Sequence, residues 1–151
     1  MKSDVMIGEN RMTITRVFDA PRERVFAAWN RADALQRWSG CKDTTKMECT
    51  MDFRVGGCFT QKMHIKGVGE YTITGVYDEI VEPEKIAYHV DLGMATTRVT
   101  VLFIAQGRQT KLVLTQEGFP DQNLCKMVSQ GTVEALDKLD EMVTSQALVN
   151  Q

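Results

Sequence analysis

The chain has 151 residues and a mass of 17.0 kDa, the size of one domain with a single buried core. Apolar residues make up 43% and charged residues 25%, which argues against general disorder. Its 18 Lys and Arg against 20 Asp and Glu leave a net charge of −2, so no basic excess is available to neutralise phosphates, and nucleic acid is not expected as a partner.

Residues 1–11 carry Lys2, Asp4, Glu9 and Arg11 and no apolar stretch, so no signal peptide is expected. The longest apolar run, Val101 to Ala105, is far shorter than the roughly 20 residues of a membrane span. No membrane association is therefore expected, and the expected location is cytoplasmic. Arg11 to Asp19 reads as a strand from its β-branched content. Asp19-Ala20-Pro21 then opens a helix, with Pro21 near the first turn, and Val25, Phe26 and Trp29 form its apolar face. A second short helix, Ala32 to Trp38, follows with Asn30 as its expected cap, and it brings Leu35 and Trp38 together.

From Met47 the apolar period changes to two. Met47, Cys49, Met51 and Phe53 alternate with polar residues, Gly56-Gly57 turns the chain, and Phe59, Gln61, Met63 and Ile65 alternate in the next strand. Further strands follow over Glu70 to Val81, Lys85 to Leu92, Thr97 to Ala105 and Leu112 to Gln116, separated by short turns. Short turns imply antiparallel pairing, and alternation implies one covered face and one wet face. After Pro120-Asp121 the period returns to 3.6: Leu124, Met127, Val128, Gly131, Ala135, Leu139, Met142 and Val143 form one stripe, with Asp121 as the expected cap. The reading is an α+β domain: one strand, two short helices, about six strands and a long helix that covers the sheet. It is a single domain over 1–151, with its core from about 12 to 143.

No cofactor or metal is expected. Cys41, Cys49, Cys58 and Cys125 form no CxxC pair and no metal-ligand spacing with His64 or His89, so they read as free thiols. Strand parity places both histidines on the outer face, which leaves no catalytic residue to name. The carboxylates of Asp137, Asp140 and Glu141 read as solvated charge on the polar side of the last helix. Arg16 shares the parity of Ile14 and Phe18. It either points inward, to an anionic ligand group or Glu117, or lays its stem along the sheet edge, and the second placement is the expected one.

The stretch from Ile14 to Trp38 (ITRVFDAPRERVFAAWNRADALQRW), the turn DFRVGGCF (Asp52 to Phe59), GVYDEIVEPEKIAY (Gly75 to Tyr88) and LVLTQEGFPD (Leu112 to Asp121) together resemble the START-like, or SRPBCC, superfamily. Within it they resemble the branch named for the activator of the 90-kDa heat-shock chaperone's ATPase, over roughly Met12 to Val143. The resemblance implies a helix-grip fold: a curved antiparallel sheet of six to seven strands wrapped round the C-terminal helix, with a cavity between them. Two positions depart from the family pattern: Gln116 stands where members often carry His, and Gly131-Thr132 where they often carry Trp after a glycine. Small or uncharged residues there suggest a roomier cavity.

The residues expected to line that cavity are Trp29, Trp38, Met51, Phe53, Phe59, Met63, Tyr71, Ile73, Tyr88, Phe103, Gln116, Met127 and Gly131. Methionine and aromatic walls with a few polar tips suit a small hydrophobic or aromatic ligand. Gly131 in mid-helix is expected to mark a close approach. Trp29 and Trp38 either gate the cavity mouth or glue the short helices to the sheet. The resemblance also admits a cyclase- or hydrolase-like enzyme on a polyketide-like or aromatic substrate. It further admits a contact module for the chaperone, although only eleven residues precede the first strand's core. Nothing in the residues encodes an oligomeric state.

Overall fold

The computed structural model describes residues 3–149, with side chains described as far as 144; Met1, Lys2, Asn150 and Gln151 lie outside the described residues. The elements are β1 (Ser3–Ile7), β2 (Arg11–Phe18), α1 (Arg22–Ala27), α2 (Ala32–Trp38), β3 (Thr44–Met51), β4 (Cys58–Ile65), β5 (Gly69–Val81), β6 (Lys85–Asp91), β7 (Thr96–Gln106), β8 (Gln109–Glu117) and α3 (Gln122–Val149). All pairings are antiparallel, in one eight-stranded open sheet of order β1-β2-β8-β7-β6-β5-β4-β3. The chain runs up one edge, crosses through α1 and α2 to the far edge, and meanders back until β8 pairs with β2.

The sheet has one strand more than expected. β1 has no alternating signature, because Met6 and Ile7 are both exposed; it forms by pairing on β2, in a register that sets Ser3 opposite Arg16. In β2 the inward set is Met12, Ile14, Arg16 and Phe18, all buried. Pro21 holds the N-cap position of α1 with φ of −68°, where its missing N–H is no loss. Asn30 does not cap α2. Arg31 occupies that position without a side-chain cap bond, and its guanidinium pairs instead with Asp33 at 2.7 Å. Asp121 does cap α3, its Oδ1 accepting the Leu124 N–H at 2.8 Å.

Two features bend the sheet round the helix. Register shifts fall between Thr44 and Lys46 and between Tyr77 and Glu79, and such irregularities increase local twist. The β3–β4 turn closes tightly with Gly56 at φ +84°, a left-handed conformation that favours glycine. Gly56 N–H donates to the Tyr77 carbonyl at 2.8 Å, which ties the turn to β5.

The long helix engages the sheet unevenly. α3 packs closely on β1, β2 and α2 and stands off β4, β5 and β6. Its second half carries Leu136, Leu139 and Val143, fully buried beside Met12, Ile14 and Phe18. Its first half spans the concave face of the other strands and leaves space beneath it.

Candidate ligand-binding cavity

Cross-strand register sets the floor of that space. Tyr77 lies opposite Tyr88, Tyr88 opposite Val99, and Val99 opposite Gln116, so one row crosses four strands on the concave face. With about 4.8 Å per strand, Tyr77 and Gln116 stand about 14 Å apart along it. A neighbouring row runs from Met51 through Phe59, Gly75 and Val90 to Thr97. Gly75 is the low point: the Phe59 ring lies over it, so close that a Cβ there would stand 2.2 Å from Phe59 Cζ.

Above these rows lies a cavity of about 720 Å³, open to solvent along one side. Drug-sized ligand sites fall in the range of roughly 300–1,000 Å³. Of the residues expected to line it, Trp29, Trp38, Met51, Phe59, Met63, Tyr71, Ile73, Tyr88, Gln116, Met127 and Gly131 do so. Phe53 and Phe103 do not. Both face inward, but their end of the sheet is covered by α1. There Phe26 packs edge-on to each, at centroid distances of 6.0 and 5.1 Å, and fills the space.

Trp29 and Trp38 pack at a tilt of 59° with centroids 4.5 Å apart, and Trp38 Nε1–H donates to the Ala28 carbonyl at 3.0 Å. Both are buried, so they glue the short helices together while forming the cavity wall, and they do not stand at its mouth. Gly131 faces the cavity without any close approach from protein: a Cβ there would meet only Cys41 Cβ, at 3.6 Å. Strand parity also accounts for two further lining residues, Tyr77 and Cys49. Tyr77 shares the parity of Tyr71 and Ile73, and Cys49 that of Met47 and Met51. The α2–β3 loop, Ser39 to Asp43, also lines the cavity, and no periodic signal marks it.

The inner surface is uncharged. Lys42, Asp43 and Glu134 are the charged lining residues, and the first two are exposed at the rim. Glu134 accepts the Lys42 backbone N–H at 3.1 Å and a Gln130 amide hydrogen at 2.9 Å, which ties α3 to the α2–β3 loop. Three exposed apolar residues ring the mouth: Val68 on the β4–β5 turn, Met94 on the β6–β7 turn and Met127 on α3. Met127 therefore belongs to the lip and not to the buried stripe.

Inside, the polar groups hold their protons. Burial pushes the Cys49 thiol and the Tyr71 phenol upward, and Tyr71 O–H donates to the Leu92 carbonyl. Tyr77 rises well above the usual phenol range, through burial first and then the nearby Tyr88 and Cys49. Tyr88 is enclosed by protein, the surface it retains facing the cavity, and burial raises its pKa from 10.0 to about 12. A folded pKa above the unfolded one means that the native state holds the proton longer. Stability from this group is thus complete below pH 10 and falls as pH rises toward about 12. Thermal melts between pH 9 and 12 are expected to show this fall, and Tyr88→Phe is expected to lessen it, with Tyr77, Tyr71 and Cys49 supplying the remainder. Gln116 Nε2–H donates to Thr97 Oγ1 at 2.9 Å.

The histidines stand apart from the cavity. His64 lies 3.7 Å from Glu70, and His89 Nδ1 contacts Asp78 on the outer face. Among the described residues no group of three or more His, Cys, Asp or Glu is arranged to hold a metal ion, and no described helix is long and apolar enough to cross a membrane.

Arg16 does not lie along the sheet edge as expected, and its inward placement meets neither a ligand group nor Glu117. It points inward, is 2% exposed, and pairs with α3: Nη1 lies 2.6 Å from Asp137 Oδ1 and Nη2 lies 2.9 Å from Asp140 Oδ2. Nη1 also donates to Ser3 Oγ at 2.9 Å, and the guanidinium carbon stands 5.6 Å above the Phe18 ring. Asp137 and Asp140 are therefore not simply solvated charge, and Asp140 is buried. This cluster fastens the second half of α3 to β1 and β2, while the first half bridges the cavity.

A curved antiparallel sheet gripping a C-terminal helix, with a cavity between them, defines a START-like helix-grip domain. The chain belongs to the family described as activator of Hsp90 ATPase homolog 1-like protein, whose model matches residues 19–144. No curated protein matches the sequence. Among solved structures, one from Chromobacterium violaceum is similar at 26% identity and a TM-score of 0.77, covering 89% of this chain and 96% of its own. One from Rhizobium leguminosarum shares 26% identity with a TM-score of 0.75, over 94% of this chain and 99% of its own. An Arthrobacter aurescens protein, at 19% identity, shares the fold with a TM-score of 0.80 over 96% of this chain and 92% of its own.

Proposed function

We propose that this protein binds a small hydrophobic or aromatic molecule in the space between α3 and the concave face of the sheet. The observation that carries the reading is the 720 Å³ cavity with an uncharged inner wall of aromatic, methionine and aliphatic side chains. Such a surface left to water is unfavourable at about 25 cal/mol per Å², and an apolar guest relieves that cost. The polar lining supports binding over acid–base chemistry near neutral pH. Tyr77, Tyr88 and Cys49 all have raised pKa values, and neither histidine lines the cavity.

Titration with a solvatochromic apolar dye tests the reading, with Gly131→Leu as the diagnostic variant. Leucine replaces a mid-helix glycine, worth about 1 kcal/mol of helix propensity, and its Cβ meets only ordinary contact at Cys41. Its side chain then occupies the cavity. The expected result is a melting temperature raised by about 2–4 °C together with at least a tenfold loss of dye affinity. Unchanged dye binding in a folded Gly131→Leu protein contradicts the proposal.

A further inference from the structure

We propose that the end of the cavity flanked by α2 is a receptor for a carbonyl oxygen, so that the ligand is an uncharged apolar molecule bearing a ketone-type carbonyl held by Tyr77 and Tyr88. This rests on the ligand-binding reading above and adds the chemistry of the guest.

Tyr77 is 4% exposed, lines the cavity, and has no acceptor for its hydroxyl among the described residues. Its oxygen is reached from the cavity and not sealed in protein, so the hydroxyl is left to pair with whatever occupies that space. Tyr88 stands beside it, ring centroids 6.1 Å apart and planes at 73°. Tyr88 likewise donates its hydrogen to no acceptor among the described residues, and Trp29 lies beside its oxygen. Two phenolic donors thus share one end of an apolar space.

The neighbouring polar groups are already engaged. Ser39 Oγ donates to the Leu35 carbonyl, and Trp38 Nε1 to the Ala28 carbonyl. Tyr71 is occupied by Leu92, and Gln116 by Thr97. A carbonyl oxygen has two lone pairs and no hydrogen, which matches two O–H donors. A carboxylate does not fit. The charged lining residues are Lys42, Asp43 and Glu134, on the α2–β3 loop and α3, and both phenols resist developing negative charge at this end. Phe59, packed 5.1 Å from Tyr77 and 5.3 Å from Tyr88, supplies an aromatic wall beside the donors.

Benzophenone and diphenylmethane test this directly, since they share two rings on a one-carbon bridge and differ in the carbonyl oxygen. Each is titrated as a competitor of the dye against the full chain and against Tyr77→Phe and Tyr88→Phe, whose folding is checked by thermal melting. Tyr77→Phe is expected to weaken benzophenone by about 3- to 10-fold, the range of one hydrogen bond, and to leave diphenylmethane unchanged. 2-Benzoylbenzoate, with its carboxylate, is expected to bind at least tenfold more weakly than benzophenone. Equal losses for both competitors in Tyr77→Phe, or no loss for either, overturn the carbonyl assignment while the ligand-binding reading stands. Displacement by neither competitor in the unaltered protein overturns the carbonyl assignment, whereas failure of the dye itself to bind overturns the ligand-binding reading.

Discussion

Replacing Arg16 with methionine is expected to lower the unfolding free energy by about 3–5 kcal/mol, the range for removing one partner of a buried charge pair. The guanidinium is 2% exposed, and it serves Asp140, whose side chain is 11% exposed, as well as Asp137, whose side chain is 60% exposed. In Arg16→Met the buried Asp140 carboxylate loses the Arg16 guanidinium, while the Thr144 hydroxyl at 3.1 Å is among the partners it keeps. Asp137→Asn is expected to cost no more than about 1 kcal/mol, because that carboxylate is mostly in water. The double variant Arg16→Met with Asp140→Leu is expected to recover most of the loss, since an apolar pair of suitable size replaces a buried ion pair at little cost. Urea midpoints at constant m-value measure all three. A loss under 1 kcal/mol for Arg16→Met shows that the cluster does not hold α3. The cluster bears on the cavity because it fastens the half of the helix that does not cover it. Where Arg16→Met stays folded, weaker dye binding is expected to accompany the loss of stability.

Gly75→Ala carries the second large effect, a destabilisation of about 1–3 kcal/mol from overpacking. An added Cβ would stand 2.2 and 2.4 Å from Phe59 ring carbons and 2.5 Å from the His89 carbonyl oxygen. The ring can swing into the cavity. The carbonyl belongs to the paired strand β6 and cannot move without disturbing the ladder. Loss of dye affinity should therefore accompany the loss of stability, because the displaced ring enters the binding space. Phe59→Ala in the Gly75→Ala background is expected to restore the part due to the ring and leave the part due to the carbonyl. A double-mutant cycle separates the two. Wild-type stability and binding in Gly75→Ala would show that the floor beneath Phe59 is not tight.

Period and parity carried most of the architecture. α2 spans Ala32–Trp38 as expected, β2 to β8 fall where the alternation lies, and Asp121 caps the last helix. β1 escaped because Ser3–Ile7 has no alternation of its own; its structure comes from the strand it joins. Parity reports which face a side chain takes and not what covers that face. Hence Tyr71, Tyr88 and Gln116 reach the cavity as expected, whereas Phe53 and Phe103, on the same face, meet Phe26 of α1. Met127 shows the same limit on a helix, since its place in the apolar stripe is compatible with a lip exposed at 64%. Arg16 was the least legible residue. Its inward parity was visible, but its partner Asp137 lies 121 residues away, on a helix whose rotation about its axis local pattern does not reveal. The α2–β3 loop, Ser39 to Asp43, is irregular and left no signal.

The central claim is that the cavity receives a small, neutral, apolar molecule. Native mass spectrometry of the full chain, purified without organic solvent and sprayed before and after extraction, tests it most directly. The predicted result is one small uncharged adduct on the 17.0 kDa polypeptide before extraction, lost afterwards and replaced one-to-one by added benzophenone. A bare polypeptide before extraction, with no uptake of benzophenone after it, would contradict the account.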